Sequence, residues 1–140
     1  MLVTDGEGLP IAVSVHSASP AEVTLIKETL RTINVPRGGP GRPRSRPGRL
    51  IADKAYDSDP LRERLARRGI ELIAPHRANR RRPRTQDGRP LRRYRRRWKV
   101  ERTSAWFQNY RRLVVRWERH SRMFQAFVHV TCVLLTMGTL

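Results

Sequence analysis

The chain has 140 residues with 30 basic and 12 acidic side chains, a formal charge of +18. All but three of the basic residues are arginines, whose planar guanidinium groups suit phosphate oxygens, so nucleic acid is the predicted partner class. A single cysteine excludes a disulfide framework, and the length predicts one domain over 1–140.

Neither end of the sequence has a secretory or membrane-spanning pattern. The first 15 residues contain Asp5 and Glu7 and lack a basic start followed by an apolar run. The apolar segment from Met123 is interrupted by Gln125 and His129 and is shorter than the roughly 20 residues of a membrane span. We therefore expect a cytoplasmic protein without membrane contact.

The N-terminal third predicts a hairpin and a helix. Leu2–Thr4 and Leu9–Val15 are short β-branched runs separated by the turn sequence Asp5–Gly8. Ser19–Glu22 has the pattern of a capping box with proline at the first helical position, which predicts a helix from Pro20 to about Ile33. Its core-facing residues are predicted to be Val23, Ile26 and Leu30.

The middle of the chain adds β-α-β to the β-β-α of the N-terminal third, so the predicted order is β-β-α-β-α-β. Residues 36–49 hold prolines, glycines and arginines, which predict a mobile basic loop. Leu50–Asp53 reads as a buried strand, residues 59–68 as a helix capped by Gly69, and Ile70–Ile73 as another strand. This order predicts an α/β fold in which the first of these strands delivers a carboxylate to its C-terminal edge.

Arginine dominates residues 77–97, where prolines and glycine predict a second basic loop over 77–90 and a long helix after Pro90. The inward stripe of that helix is predicted to contain Trp106, Tyr110, Leu113, Val114 and Trp117. A C-terminal packing helix is predicted over 121–140. Its buried residues are expected to be Phe124, Phe127, Val128, Val130 and Leu134.

Four polar residues, Tyr94, Arg97, Glu101 and Gln108, follow one another at helical spacing and are predicted to share one face of the long helix. Glu101 is turned about 140° from Trp106, away from the apolar stripe. This geometry permits a catalytic carboxylate. It equally permits a solvated glutamate that pairs with neighbouring arginines.

Asp53 presents a similar choice, because a carboxylate directly after a buried strand is either a turn residue or a rigidly held ligand for a cation. Two carboxylates, one from a strand end and one from a helix, have the oxygen donors that Mg²⁺ prefers. By contrast, Asp5, Asp57 and Asp59 are expected to serve turns or helix caps.

Two segments carry a family resemblance: IADKAYD at residues 51–57 and RWKVERTSAW at residues 97–106. They resemble the second and third acidic blocks of bacterial insertion-sequence DDE transposases of the Tyr-x2-Arg-x3-Glu type. Tyr94, Arg97 and Glu101 meet that spacing. The resemblance extends over nearly the whole chain.

The resemblance implies a ribonuclease H-like mixed sheet flanked by helices, in which three acidic residues hold two Mg²⁺ or Mn²⁺ ions for phosphodiester hydrolysis and strand transfer. Asp53 and Glu101 would be the second and third acidic residues, catalytic and metal-binding. The implied contacts to the DNA of element ends and target are Tyr94, Arg97, Arg102, Gln108 and Arg112.

The sequence departs from the family pattern at two points. Gln108 stands where the family has lysine, which removes a charge from that DNA contact. The first catalytic aspartate would lie on a central strand before the opening hairpin. We therefore expect this chain to be the C-terminal portion of a transposase, either a truncated remnant or the second frame of an element normally read as two, with an upstream-frame polypeptide or a homo-oligomer as candidate partner. Its own activity is then left open.

The alternative function is that of a non-catalytic basic protein that binds nucleic acid, for which charge alone suffices. Trp98 could stack on a base or simply pack. The histidines, among them His76, lack the spacing of metal ligands, and Cys132 is expected to pack in the core.

Overall fold

A computed structural model describes residues 1–17, 19–86 and 88–138, with strands and helices in the predicted order β-β-α-β-α-β followed by helices. The mixed α/β class is confirmed, whereas the ribonuclease H-like arrangement stays a prediction. Two compact units are formed, one by Met1–Ser45 with Lys99–Leu140 and the other by Arg46–Trp98. Asp87 of the second basic loop and residues 139–140 of the C-terminal helix lie outside the described residues.

The first unit opens with the predicted hairpin. Strands β1 (Leu2–Thr4) and β2 (Pro10–Val13) are antiparallel, with Leu2 opposite Val13. In the turn, Asp5 Oδ1 accepts hydrogen bonds from the amides of Glu7 at 2.8 Å and Leu9 at 2.9 Å. Its predicted role as a turn residue is confirmed.

Helix α1 (Glu22–Arg31) buries Ile26 and Leu30, as predicted, whereas Val23, also predicted to face the core, is half-buried. The predicted capping box is wrong. The N-cap residue is Ala21, which has an extended backbone, and none of the side chains that the structure describes makes a capping hydrogen bond there. Thr24 serves the first turn instead, because its amide and hydroxyl both bond the carbonyl of Ala21.

The first basic loop, predicted to lack regular structure, is closed at its base. Val35 and Arg44 exchange two backbone hydrogen bonds of 3.0 and 2.8 Å as an antiparallel bridge. The residues between them are exposed.

The second unit has a parallel pair at its centre, β3 (Arg49–Ile51) and β4 (Glu71–Ile73). Helix α2 (Asp59–Ala66) connects them and buries Leu61 and Leu65. The predicted cap is confirmed, since Gly69 has a φ of +72° just beyond the helix.

The single long helix predicted after Pro90 is wrong. The structure has α3 (Gly88–Tyr94), a 3₁₀ turn (Arg95–Arg97), α4 (Trp98–Phe107) and the short α5 (Arg111–Val114). Helix α3 begins before the predicted start because proline is tolerated in a first helical turn.

The inward apolar stripe is wrong in part, because the helix that would have carried it ends at Phe107. Val114 and Trp117 are exposed, the latter at 76%. Trp106, Tyr110 and Leu113 are half-buried.

Helix α6 (Ser121–Thr136) begins where predicted and buries Val128, Thr131 and Leu135. Phe124, Phe127 and Leu134 are half-buried, whereas Val130, predicted to be buried, is exposed. Cys132 is half-buried, and burial raises the pKa of its thiol to about 11. Among the helices that the structure describes, none has the length and apolar character needed to cross a bilayer.

The buried face of α1 predicts a large difference between two truncations in the first unit. Leu30→Ala removes a side chain that is 1% exposed and should lower the free energy of unfolding by about 2–5 kcal/mol. Val133→Ala, at a position 55% exposed, should change it by less than about 0.5 kcal/mol. Urea unfolding followed by circular dichroism measures both, and equal losses would contradict the assigned core.

Candidate active site

Asp53 lies just beyond the carboxyl end of β3. The parallel pairing continues one residue past the strand, because the amide of Ala52 bonds the carbonyl of Ile73 at 2.9 Å. Asp53 then caps a 3₁₀ turn (Lys54–Tyr56), with Oδ1 accepting from the amide of Lys54. Its side chain is 40% exposed. A strand end and a cap thus hold a carboxylate that solvent can reach.

Arg97 makes the contact that joins two sequence motifs. Its Nη2 lies 3.3 Å from Oδ2 of Asp53, across a separation of 44 residues. Its guanidinium also lies over the ring of Tyr94, 6.0 Å from the centroid. The structure therefore brings Tyr94, Arg97 and Asp53 together within the second unit.

Glu101 lies in α4, in the first unit, on a segment held against the hairpin turn. Lys99 Nζ donates to the carbonyl of Gly6, Arg102 Nη2 donates to that of Glu7 at 2.7 Å, and the buried hydroxyl of Thr103 donates to that of Gly8. The exposed Glu101 sits between these anchors. Its backbone is thus fixed by the turn.

Gly8 makes this close approach possible. Its φ is +93°, and a Cβ there would lie 2.9 Å from Nη2 of Arg102 and 3.4 Å from the carbonyl oxygen of Lys99. Only glycine combines this backbone conformation with the required space.

The predicted shared face of one long helix is wrong, because Tyr94 ends α3, Arg97 lies in the 3₁₀ turn and Glu101 lies in α4. Gln108 is outside all three elements. It follows the end of α4, in a turn where its amide bonds the carbonyl of Ala105 at 3.0 Å. Of the other predicted DNA contacts, Arg102 stacks over Trp106 at 4.7 Å, and Arg112 pairs with Glu118 at 3.1 Å. These two arginines therefore also serve the packing of the first unit.

Asp57, predicted to be a turn or cap residue, is the centre of a buried ion cluster. Its side chain is 2% exposed. Oδ1 accepts from Arg62 at 3.0 Å, His76 at 2.8 Å and Arg80 at 3.3 Å, and Oδ2 accepts from the amide of Arg77 at 2.9 Å. The cluster ties α2 and the segment after β4 to the loop that follows Asp53.

Asp59 extends this cluster. Both of its oxygens accept from Arg80 Nη2, at 2.8 and 3.0 Å, and the pKa of the Asp59 carboxyl is lowered, chiefly by this hydrogen bonding. For Asp57, burial raises the pKa, but hydrogen bonds from Arg77, His76 and Arg62 outweigh it and hold the pKa at about 2. Both carboxylates are therefore ionised at neutral pH.

His76 has its tautomer fixed by this network. Its Nε2 accepts from the amide of Thr85 at 3.2 Å, so Nδ1 carries the proton that is donated to Asp57. A sequence signal for the cluster existed: Asp57 and His76 follow neighbouring parallel strands, whose carboxyl ends meet at one edge. Histidine spacing alone could not reveal it.

The donor chemistry of Asp53 and Glu101 fits a hard cation, since Mg²⁺ is commonly bound through one or two carboxylates together with water and phosphate. Asp57 and Asp59 do not fit, because arginines at 3.0 Å or closer hold both carboxylates and little of either is exposed. The side chain of Asp53, by contrast, is 40% exposed and meets Arg97 at 3.3 Å. Within the part of the chain that the structure describes, no group of three or more His, Cys, Asp or Glu side chains is arranged to hold a metal ion.

Comparison with known proteins identifies relatives of this chain. The family model for the transposase DDE domain matches residues 1–136. The transposase assigned to insertion sequence element IS402 of Burkholderia cepacia is 38% identical over 139 residues, which cover 99% of this chain and 62% of that relative. The chain thus spans less than two thirds of the relative's length. No solved structure matches the chain.

The low pKa of Asp57 predicts an acid-dependent loss of stability. A folded-state pKa of about 2, below the ordinary 3.8, stabilises the fold above pH 3.8, and this contribution is lost as the pH falls towards 2. Between pH 4 and pH 2 the free energy of unfolding should fall by about 2 kcal/mol more in the native chain than in Asp57→Asn.

Urea titrations at each pH measure this difference, with Glu63→Gln as the control for an exposed carboxylate on the same unit. The control should keep the native pH dependence. An Asp57→Asn variant that also keeps it would show that Asp57 titrates normally.

Proposed function

Because the chain belongs to the DDE transposase family, we propose that it works in DNA transposition as part of an insertion-sequence transposase, with Asp53 and Glu101 as acidic catalytic residues. The observation that carries this proposal is the ion pair between Asp53 and Arg97. It joins the segment IADKAYD to the arginine of the Tyr-x2-Arg-x3-Glu signature, although 44 residues separate them.

Arg97 and Tyr94 suit a role in binding the reacting DNA strand. The side chain of Arg97 is 31% exposed, so its guanidinium can exchange part of its pairing with Asp53 for a phosphate oxygen. The guanidinium of Arg97 lies over one face of the Tyr94 ring, within the range of a cation–π contact. Arg97 would then hold a phosphate close to the Asp53 carboxylate.

Glu101 suits the role of the third acidic residue, because its segment is anchored on both sides. Lys99 and the pair Arg102 and Thr103 bind the hairpin turn, which leaves Glu101 exposed on a fixed backbone. Arg102, Gln108 and Arg112 are retained as candidate DNA contacts at the surface of the same unit.

DDE transposases generally depend on a divalent metal ion. We propose Asp53 and Glu101 as carboxylate ligands for divalent metal, which when bound lowers the pKa of water and stabilises charge on phosphate oxygens. For a pair of ions the resemblance implies a third carboxylate, and we propose an upstream-frame polypeptide or a second copy of the chain as its source. The half-exposed Trp98, next to Arg97, is a candidate for stacking on a base.

The test is a chimera in which this chain replaces the matching part of the IS402 relative, assayed for cleavage and strand transfer on IS402 ends with Mg²⁺ or Mn²⁺. Asp53→Asn and Glu101→Gln should each lower the rate by at least about a hundredfold. Both should leave DNA affinity nearly unchanged. The controls Glu63→Gln and Glu28→Gln, at exposed positions, should keep the native rate.

A chimera that cuts DNA equally well without either carboxylate would overturn the assigned residues. A second outcome is a chimera that binds the element ends but does not cleave them, while the intact IS402 relative does cleave them. The chain is then a non-catalytic nucleic-acid-binding remnant.

A further inference from the structure

Apart from Gly41, whose φ is +129°, the first basic loop has a composition that the fold of the chain does not require. Residues 36–43, between the bridging residues Val35 and Arg44, are only proline, glycine and arginine, and all of them are exposed. Nothing apolar is buried there. The loop must therefore be explained by something outside the chain.

The arginines of the loop carry charge that the structure does not neutralise. Among the described residues, no carboxylate pairs with Arg37, Arg42 or Arg44, whereas Arg62 and Arg80 of the second unit are bound to aspartates. The bridge at the base holds Arg37 and Arg42 on one short loop. The loop is thus a concentrated cationic projection.

The backbone of the loop is narrow. Arg42 precedes Pro43, which restricts Arg42 to an extended conformation, and the prolines lack amide donors. No helix or strand widens the segment, and its described residues carry no branched or aromatic side chain. Such a segment can enter a groove about 6 Å wide, the width of the minor groove of B-DNA.

Two glycines provide the most specific observation. Gly38 and Gly39 do not have positive φ, and a Cβ at either position would meet no atom within 4 Å. Neither the backbone conformation nor the packing of the chain therefore calls for glycine. Glycine is needed where a backbone approaches a ligand surface closely, and these positions are open to solvent.

We propose that residues 36–44 insert into the minor groove of A·T-rich duplex DNA, with Arg42 directed to the groove floor and Arg37 to its wall. A·T-rich tracts narrow the minor groove and deepen its negative potential, which favours arginine. Guanidinium is more weakly hydrated than ammonium and enters such a groove at a lower desolvation cost. The proposal rests on the proposed function, since it takes DNA as the partner.

The experiment measures binding of the full chain to two duplexes of equal length, one A·T-rich and one G·C-rich, by fluorescence anisotropy. The native chain should prefer the A·T-rich duplex by on the order of tenfold. Arg42→Ala should remove this preference. The control Arg64→Ala, at an exposed arginine of α2, should weaken binding to both duplexes equally.

Two further variants separate groove insertion from charge. Arg42→Lys keeps the charge, so the salt dependence of DNA affinity should be unchanged. The preference for the A·T-rich duplex should fall, because ammonium is more strongly hydrated than guanidinium. The double variant Gly38→Ala with Gly39→Ala should keep the native midpoint of urea unfolding, because the added methyl groups meet nothing, yet lose affinity for the A·T-rich duplex.

Netropsin, a minor-groove ligand, should displace the chain from the A·T-rich duplex. Equal affinity for both duplexes, an unchanged preference in Arg42→Ala, or a glycine variant that binds normally would overturn the insertion while leaving DNA binding intact. A chain that binds neither duplex would overturn the proposed function together with it.

Discussion

The buried carboxylate of Asp57 is the interaction on which the order of the second unit depends. It binds Arg62 from α2, and His76 and Arg80 from the segment after β4, within one hydrogen-bonded cluster. Arg77, whose amide also binds Asp57, donates from its side chain to the carbonyls of Lys54 and Ala55. Since Asp53 caps that turn, the position of the candidate catalytic carboxylate follows from the cluster.

The other acidic block has a separate anchor. The turn that ends at Gly8 receives Lys99, Arg102 and Thr103, so the segment of Glu101 is fixed by a hairpin far from it in sequence. Carboxylates are scarce in a chain of charge +18, and those of Asp57 and Asp59 are committed to internal ion pairs. Arginine therefore remains in large excess over carboxylate, which agrees with the proposed DNA partner.

Sequence patterns predicted the elements whose signal is local. The alternation in Leu2–Thr4, the face of Ile26 and Leu30, and the buried run before Asp53 all reappear in the structure. Helical spacing failed from Trp106 onwards, because apolar periodicity continues through a turn that breaks the helix after Phe107. The role of Asp57 could not be predicted from its neighbours, since His76 and Arg80 lie 19 and 23 residues away.

The central proposal is that the carboxylates of Asp53 and Glu101 bind divalent metal. The most direct measurement is paramagnetic broadening of backbone amide signals by Mn²⁺ in the isotopically labelled full chain. We predict broadening around residue 53 that is lost in Asp53→Asn and broadening around residue 101 that is lost in Glu101→Gln, with both kept in Glu63→Gln. Broadening that centres on Asp57 and Asp59, or that survives at a position whose carboxylate has been removed, would contradict the proposed metal-binding residues.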